Sequence, residues 1–222
     1  MTIADIYSQY KIMPQLQLHM LRVAGVATLI TDNLPQAVDK DSIVSACLLH
    51  DMGNIIKFDL ELFPEFSQAE GKEYWQNVQA EFVTEYGTDV YQANLRIAEE
   101  VGVSEKVLAL IEAIGFAQMK TNFEEQNLEK MICEYADCRV APQGVVSLTE
   151  RLADLEQRYG EKYPGEEESQ KRLLFADFAR QTEQYIFEKC TLTPEELTED
   201  RVFPTLEALL LQTDTLITGS TS

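Results

Sequence analysis

Apolar residues recur at helical spacing along almost the whole chain. Within the segment 14–32, five of them follow one another at intervals of three or four residues: Leu16, Met20, Val23, Ala27 and Ile30. This period places them on one face of an amphipathic helix, and no segment shows the strict alternation that is typical of a half-buried strand. The ten glycines and seven prolines fall mainly between the periodic segments. The sequence therefore predicts an all-α fold.

Capping residues mark where further helices begin. Asp41 is the expected cap of a helix that runs to Asp51 and is ended by Gly53. Three more helices are expected from capping-box spacings or from a cap followed by proline: Ser67 with Glu70 (helix 68–86), Ser147 with Glu150, and Thr193 before Pro194. The remaining helices are expected to begin at Thr88, to run from Ser104 to Ile114, and to cover 125–140, 166–190 and 202–217, before a frayed GSTS tail.

These helices are expected to form one continuous body. A length of 222 residues fits one domain, or one core with an extension. The best candidate boundary is Ala141-Pro142-Gln143-Gly144. It divides a helical core at 1–141 from a more charged C-terminal helical extension at 142–222, which is expected to pack on the core.

The net charge of the chain restricts the classes of molecule that it is expected to bind. Against 38 Asp and Glu stand only 18 Lys and Arg, which gives a formal net charge of −20. A protein that binds nucleic acid needs a basic surface, so this balance argues against a nucleic-acid partner. No apolar run reaches the roughly 18–20 residues of a membrane-spanning helix, and the N-terminus shows no cleavable signal. A cytoplasmic protein without a membrane partner is expected, and its four scattered cysteines are interpreted as buried, reduced thiols.

The chain has only two histidines, and both are placed on apolar helix faces. His19 lies in the stripe between Leu16 and Val23. His50 follows Cys47 by three residues, at the inner end of its helix, and Asp51 comes directly after it. A carboxylate buried there needs a partner, because desolvation penalises its charged form. A divalent metal ion is one such partner, since imidazole and carboxylate are ligands that it prefers.

Each of these residues also has a simpler interpretation. A single histidine on an apolar face is more often a hydrogen-bonded core residue than a ligand, and an aspartate at a helix end is often a solvated turn residue. The local sequence around them, Ala46-Cys47-Leu48-Leu49-His50-Asp51-Met52-Gly53-Asn54, favours the metal site.

This segment, ACLLHDMGN, resembles the signature of the HD superfamily of metal-dependent phosphohydrolases. In that family a first His, the adjacent His-Asp pair and a later Asp bind the metal. The resemblance assigns these roles to His19 in LQLHMLRVAGVA, to His50 and Asp51, and to Asp137 in MICEYADCRV. It covers roughly residues 14–140. It implies an HD-domain-like helical bundle with additional C-terminal helices, and one divalent metal ion: Mn, Mg, Co, Fe, Ni or Zn.

The resemblance also implies a reaction: hydrolysis of a phosphate ester or anhydride in a small molecule, expected to be a nucleotide. Asp51 is a candidate proton acceptor, whereas Glu61 and Glu65 are near it only in sequence. Arg22 shares the helix face of His19 and is a candidate phosphate contact, as is Lys57. The alternatives are that Arg22 pairs with a carboxylate and that Lys57 is simply exposed.

Some positions depart from the family pattern. Asn54 stands where many members carry lysine, and no histidine follows His50, with Gly115 in a segment where a His-rich stretch would be expected. A two-metal site is therefore not expected. The main alternative function is a degenerate HD module that binds a nucleotide or protein without catalysis, and an all-helical interaction protein ranks below both.

Two other features have open interpretations. Four aromatic residues follow the motif on one predicted helix: Tyr74, Trp75, Phe82 and Tyr86. They would form either a lid that stacks on a nucleobase or, as is commoner at helical spacing, part of the core. The helices from 147 onward would either close the cleft or build a homodimer.

Overall fold

The computed structural model describes residues 1–60 and 70–211. Within these residues the chain forms twelve α-helices: α1 (Ile3–Gln9), α2 (Pro14–Asp32), α3 (Lys40–Leu49), α4 (Lys72–Tyr86), α5 (Val90–Val101), α6 (Glu105–Glu112), α7 (Met119–Glu124), α8 (Leu128–Cys138), α9 (Leu148–Lys162), α10 (Glu166–Phe187), α11 (Glu199–Val202) and α12 (Leu206–Leu210). Three 3-10 turns and one short hairpin complete them: Asn54–Lys57, Pro194–Glu196 and Phe203–Thr205, with β1 (Val140–Ala141) and β2 (Gly144–Val145). The prediction of an all-α fold is confirmed.

Helix α2 lies at the centre of the bundle. It packs against α3 and α8 and also against α11 and α12. All five residues of its predicted apolar stripe are buried. Its Gly25 meets the C-terminal segment, because a Cβ added there would lie 2.7 Å from Val202 Cγ1. The centre of the fold is therefore the helix that carries His19.

Several predicted helix starts shift by one or two residues. The caps at Ser104 and Ser147 are confirmed, and Ser147 forms the complete capping box with Glu150. Helix α3 is capped by Asp39, whose carboxylate accepts from Ser42 N–H, and not by Asp41. Likewise Asp89, not Thr88, caps α5, and α8 begins at Leu128 rather than near 125. In each correction the capping side chain is the acceptor that reaches the free N–H groups of the first turn.

The C-terminal third is more broken than predicted. The capping box at Thr193 opens only the 3-10 turn Pro194–Glu196. A single helix over 202–217 is wrong within the described residues, because Pro204 interrupts it with a second 3-10 turn before α12. The predicted capping box Ser67–Glu70 and the residues 212–217 extend outside the described ranges, as do Glu61, Glu65 and the GSTS tail.

The expected boundary at 141–144 is the turn of the β1–β2 hairpin, in which Ala141 pairs with Gly144. Next to it, Arg139 is only 2% exposed and donates to the carbonyl oxygens of Val146, Pro194 and Leu197. Helix α10 packs against α7 and α8. The described residues on the two sides of the turn therefore share contacts and a core.

Burial distinguishes core from surface positions among the aromatic residues of α4 and the cysteines. Trp75 and Phe82 are buried in the core, which supports the structural interpretation of those two aromatic residues. All four cysteines are free thiols, and three of them are buried, whereas Cys190 is partly buried. Among the described helices, none combines the length and the hydropathy that crossing a membrane requires.

Candidate metal centre

Three helices bring the predicted metal ligands together. His19 lies on α2, His50 caps the end of α3 with Asp51 next to it, and Asp137 lies near the end of α8. Because α2 packs against α3 and α8, and α3 packs against α8, the inward faces of the three helices meet. The four side chains, far apart in sequence, therefore face one another.

The distances within this group are short. His19 Nε2 lies 3.0 Å from Asp137 Oδ1 and 3.6 Å from Asp51 Oδ2. His50 Nε2 lies 3.6 Å from the same two carboxylate oxygens, and the two imidazole rings are 5.4 Å apart between centroids. One ligand atom from each of His19, His50 and Asp51 fits within 4.8 Å of the others, as in groups that can hold a metal ion.

The orientation of the His50 ring is set by its own helix. Nδ1 lies 2.9 Å from the carbonyl oxygen of Cys47, one turn earlier, so Nδ1 donates to it and, in the neutral ring that binds metal, Nε2 carries the lone pair. The side chain is 3% exposed, and within the described residues Nε2 has no hydrogen-bond partner. Its neighbouring carboxylate oxygens at 3.6 Å are too distant for a hydrogen bond. A buried acceptor of this kind fits a metal ion, and the second nitrogen is held by the carbonyl contact that ligating histidines usually make.

The electrostatics of the group favour a cation. Burial by itself lowers the pKa of His50, but the carboxylates of Asp51 and Asp137 outweigh it and raise that pKa to about 9. Burial likewise works to raise the pKa of Asp137, yet the imidazoles of His19 and His50 hold it well below its usual value. Two carboxylates thus stabilise positive charge at this point, either as protons on imidazole or as a metal ion.

The turn after Asp51 is held against α5. Gly53 N–H donates to Asn94 Oδ1 at 2.6 Å. A Cβ at Gly53 would lie 2.9 Å from both Ala93 Cβ and Asn94 Oδ1, which is closer than real contacts allow. Glycine at this position therefore permits the close approach of the motif to α5, and Asn94 is a supporting residue that the sequence did not indicate.

A second residue that sequence reasoning missed is Glu134. It lies one turn before Asp137 on α8 and is 1% exposed. Oε2 accepts from Gly115 N–H at 2.6 Å, while Oε1 has no hydrogen-bond partner within the described part of the chain. Burial raises the pKa of Glu134 well above its ordinary value. In the sequence, Glu134 could have been found from its spacing of three residues from Asp137, which places both side chains on the same face of α8.

The two predicted phosphate contacts have different surroundings. Arg22 Nε and Nη2 both donate to Glu199 Oε1, at 2.8 and 2.7 Å, and Glu199 Oε2 accepts from Val145 N–H. Arg22 thus pairs with a carboxylate of α11, the alternative that its sequence context left open. Lys57 is exposed at the end of the 3-10 turn after the motif. A phosphate contact by either residue stays a prediction, and for Arg22 it requires phosphate to replace Glu199.

A match to a known protein family identifies this fold. The family model described as HD domain matches residues 17–141, more than half of the chain. The chain belongs to the HD-domain family. Comparison with curated proteins and with solved structures gave no match. The match to the HD domain contains all four residues of the candidate centre, and HD domains are typically metal-dependent hydrolases.

Proposed function

We propose that this HD-domain protein is a metal-dependent phosphohydrolase with one divalent metal ion, held by His19, His50, Asp51 and Asp137. The observation that carries the proposal is the buried Nε2 of His50, which has no hydrogen-bond partner among the described residues and faces two carboxylates, while Nδ1 donates to the Cys47 carbonyl. A core histidine that serves only packing would have both nitrogens satisfied or one in solvent.

The chain's own residues prepare the centre for this chemistry. A bound divalent ion supplies a water whose pKa falls from about 15.7 towards about 7, together with neutralisation of charge on a phosphoryl oxygen. The Cys47 carbonyl fixes the tautomer of His50, and the contact between Gly53 and Asn94 fixes the turn that carries Asp51. Asp51 is also the proposed proton acceptor, since its carboxylate lies 3.6 Å from both imidazoles and is partly exposed.

The proposed ion is Mn, Mg, Co, Fe, Ni or Zn, because the two imidazoles suit first-row transition ions and the two carboxylates suit Mg and Mn. A single ion is proposed, since the sequence holds no histidine beyond His50. Where a family member would be expected to have a His-rich stretch, Gly115 instead gives its backbone N–H to Glu134.

The proposed substrate is a small phosphorylated molecule, with a nucleotide as the leading candidate. The net charge of −20 supports a diffusible substrate over a nucleic-acid strand, because a long phosphate backbone would be repelled by the acidic surface. A single cation in a cleft is enough to reverse the local potential for one small anion.

Phosphate release from a panel of nucleotides tests the proposal, with added manganese, cobalt or magnesium. His50→Ala and Asp51→Asn are expected to abolish release, because each removes a ligand. Asp177→Asn is the matched control, since Asp177 is an exposed residue of α10 and its variant should retain activity. Equal activity in all variants would reject this centre as the site of hydrolysis.

Metal analysis separates the enzyme from a binding module. Protein purified without chelator is expected to contain about one equivalent of metal, and His50→Ala none. Bound metal in a protein that hydrolyses none of the panel would favour the alternative, an HD module that binds its ligand without catalysis.

A further inference from the structure

A groove of about 440 Å³ lies beside the turn that follows the HD motif. Its walls come from three parts of the chain: the motif turn, helix α4 and the last residue of helix α9. The residues that matter here are Ile56, Lys57 and Phe58 from the turn, Gln76 and Gln79 from α4, and Lys162 from α9. The groove thus joins the metal-bearing core to the C-terminal helices.

The wall formed by the motif turn is fixed by α4. Gln79 Nε2 donates to the carbonyl oxygens of Ile55 at 2.7 Å and of Phe58 at 2.9 Å. These bonds fix the backbone on either side of Lys57, so the ammonium group is attached to a rigid support. A binding site built on such a support loses less conformational entropy when a ligand is bound.

The groove concentrates positive charge on an acidic protein. Among the described residues that line it, Lys57 and Lys162 are both exposed, and one carboxylate, that of Asp59, faces them. Across residues 1–60 and 70–211, neither lysine forms an ion pair with a carboxylate, although most other lysines of these ranges do. The Lys162 ammonium lies 5.5 Å from the ring centroid of Tyr163. Two cations that have no carboxylate partner within these ranges favour an anionic ligand.

The groove is close to the candidate metal centre. Successive turns connect them: Asn54 N–H donates to the Asp51 carbonyl, Ile56 N–H to that of Gly53, and Phe58 N–H to that of Ile55. Such turns advance about 2 Å per residue, which places the backbone of Lys57 on the order of 10 Å from that of Asp51.

We infer that this groove binds a second phosphate group of the substrate, through Lys57 and Lys162, while the reacting phosphate lies at the metal centre. The inference rests on the proposed function and adds a substrate class to it: small molecules that carry two separated phosphate groups.

Direct binding tests the groove without any turnover. Inorganic pyrophosphate is titrated into metal-free protein by calorimetry, because the metal centre without its ion is acidic and repels the probe. Lys57→Gln and Lys162→Gln are each expected to weaken binding roughly fivefold, the effect of about 1 kcal/mol for one exposed charge pair. Lys171→Gln, which removes an exposed lysine of α10, should bind like the wild type. No binding by the wild type, or equal binding by all variants, would overturn the inference.

Kinetics then connect the groove to the substrate. In the wild type and in Lys171→Gln, a bisphosphorylated nucleotide should have a lower KM than the matching monophosphate. Lys162→Gln should lose this advantage, and Lys162→Arg should restore it. An advantage that persists in Lys162→Gln would reject the substrate class, whereas absence of all turnover in the wild type would reject the proposed hydrolase function and leave the calorimetric result standing.

A phospholipid headgroup offers the same phosphate chemistry, and sedimentation with vesicles containing phosphatidic acid distinguishes the two sources. The net charge of −20 should keep the protein in the supernatant. Sedimentation that is lost in Lys57→Gln and Lys162→Gln would replace the small molecule with a lipid surface.

Discussion

His19 Nε2 on α2 and Asp137 Oδ1 on α8 lie 3.0 Å apart, the shortest of the four imidazole–carboxylate distances in the centre. Each is about one-fifth exposed, whereas His50 beneath them is nearly inaccessible. Asp51 is exposed to the same extent, so His19, Asp51 and Asp137 together form the open side of the group, from which a ligand would approach the ion. Asp137, on α8, lies within 3.6 Å of an imidazole nitrogen on α2 and of another at the end of α3, so it connects the three helices.

Asp137→Asn is expected to remove the stabilisation that metal ions give. A ligand at 100 times its dissociation constant stabilises the folded state by about 2.7 kcal/mol. For a chain of this size that raises the melting temperature by about 5–10 °C. The wild type should show this rise with added manganese or cobalt in a thermal melt, and Asp137→Asn should show little or none, because a neutral amide is a poor ligand and no longer balances the cation.

Asp154→Asn is a control for this experiment, since Asp154 pairs with Arg151 and Arg158 on α9. Its variant should keep the metal-dependent rise. A rise of equal size in Asp137→Asn would show that metal binds elsewhere.

Metal affinity is expected to increase with pH. The neighbouring carboxylates raise the pKa of His50 to about 9 although burial opposes them, so metal must displace a proton at neutral pH. Affinity should then rise up to about tenfold per pH unit between pH 6 and 9 for each proton displaced, and level off above that range. Isothermal titration in buffers of different ionisation enthalpy would report the released proton, and an affinity independent of pH would contradict this protonation state.

The metal-free protein should show the opposite dependence. Because the folded pKa of His50 is above its unfolded value of 6.5, its contribution to stability is complete below about pH 6.5 and is lost as the pH rises through about 9. The integrated effect is on the order of 3 kcal/mol. Urea unfolding of chelator-treated protein at pH 6, 8 and 9.5 measures it, with the same series in excess metal as the comparison.

The elements of the fold were predictable where the signal is local. The stripe of α2 follows from its period, and the caps at Ser104 and Ser147 follow from a side chain that bonds within three residues. The corrections arise where two acceptors are adjacent to the same helix start, as at Asp39 and Asp41 or at Thr88 and Asp89. There the path of the preceding loop selects the cap, and a single sequence does not specify that path.

In the candidate site, too, some residues have a local sequence signal and others depend on how the chain folds. His19, His50 and Asp51 were identifiable from their helix faces, and Asp137 from the family motif. The pairing of Arg22 with Glu199 and the bond of Gly53 to Asn94 join residues far apart in sequence. Such contacts depend on how the helices pack, so no local pattern predicts them. Glu134 is the intermediate case, because its spacing from Asp137 was visible but its complete burial was not.

Gly53→Ala is expected to destabilise the protein and weaken metal binding together. The new Cβ would lie 2.9 Å from Ala93 Cβ and Asn94 Oδ1, so the turn carrying Asp51 must move away from α5. Overpacking of this kind costs about 1–3 kcal/mol. Gly165→Ala is the matched control, because nothing lies within 4 Å of a Cβ there. Chemical denaturation and metal titration of both variants check the prediction, and unchanged metal affinity in Gly53→Ala would show that the turn does not position Asp51.

Glu134→Gln is expected to be more stable than the wild type at alkaline pH. Burial raises the folded pKa of Glu134 above the ordinary value of 4.5, so the wild type loses stability as the pH rises from 4.5 towards the folded pKa. Glutamine retains an oxygen for the Gly115 N–H but cannot ionise. The difference in unfolding free energy between Glu134→Gln and the wild type should therefore grow from pH 5 to pH 8 in urea titrations. Glu134→Ala should lose about 2 kcal/mol at pH 5, since it leaves Gly115 N–H unpaired, and less at pH 8, where the wild type is itself less stable. A difference for Glu134→Gln that does not change with pH would mean that this carboxyl group ionises freely in the folded protein.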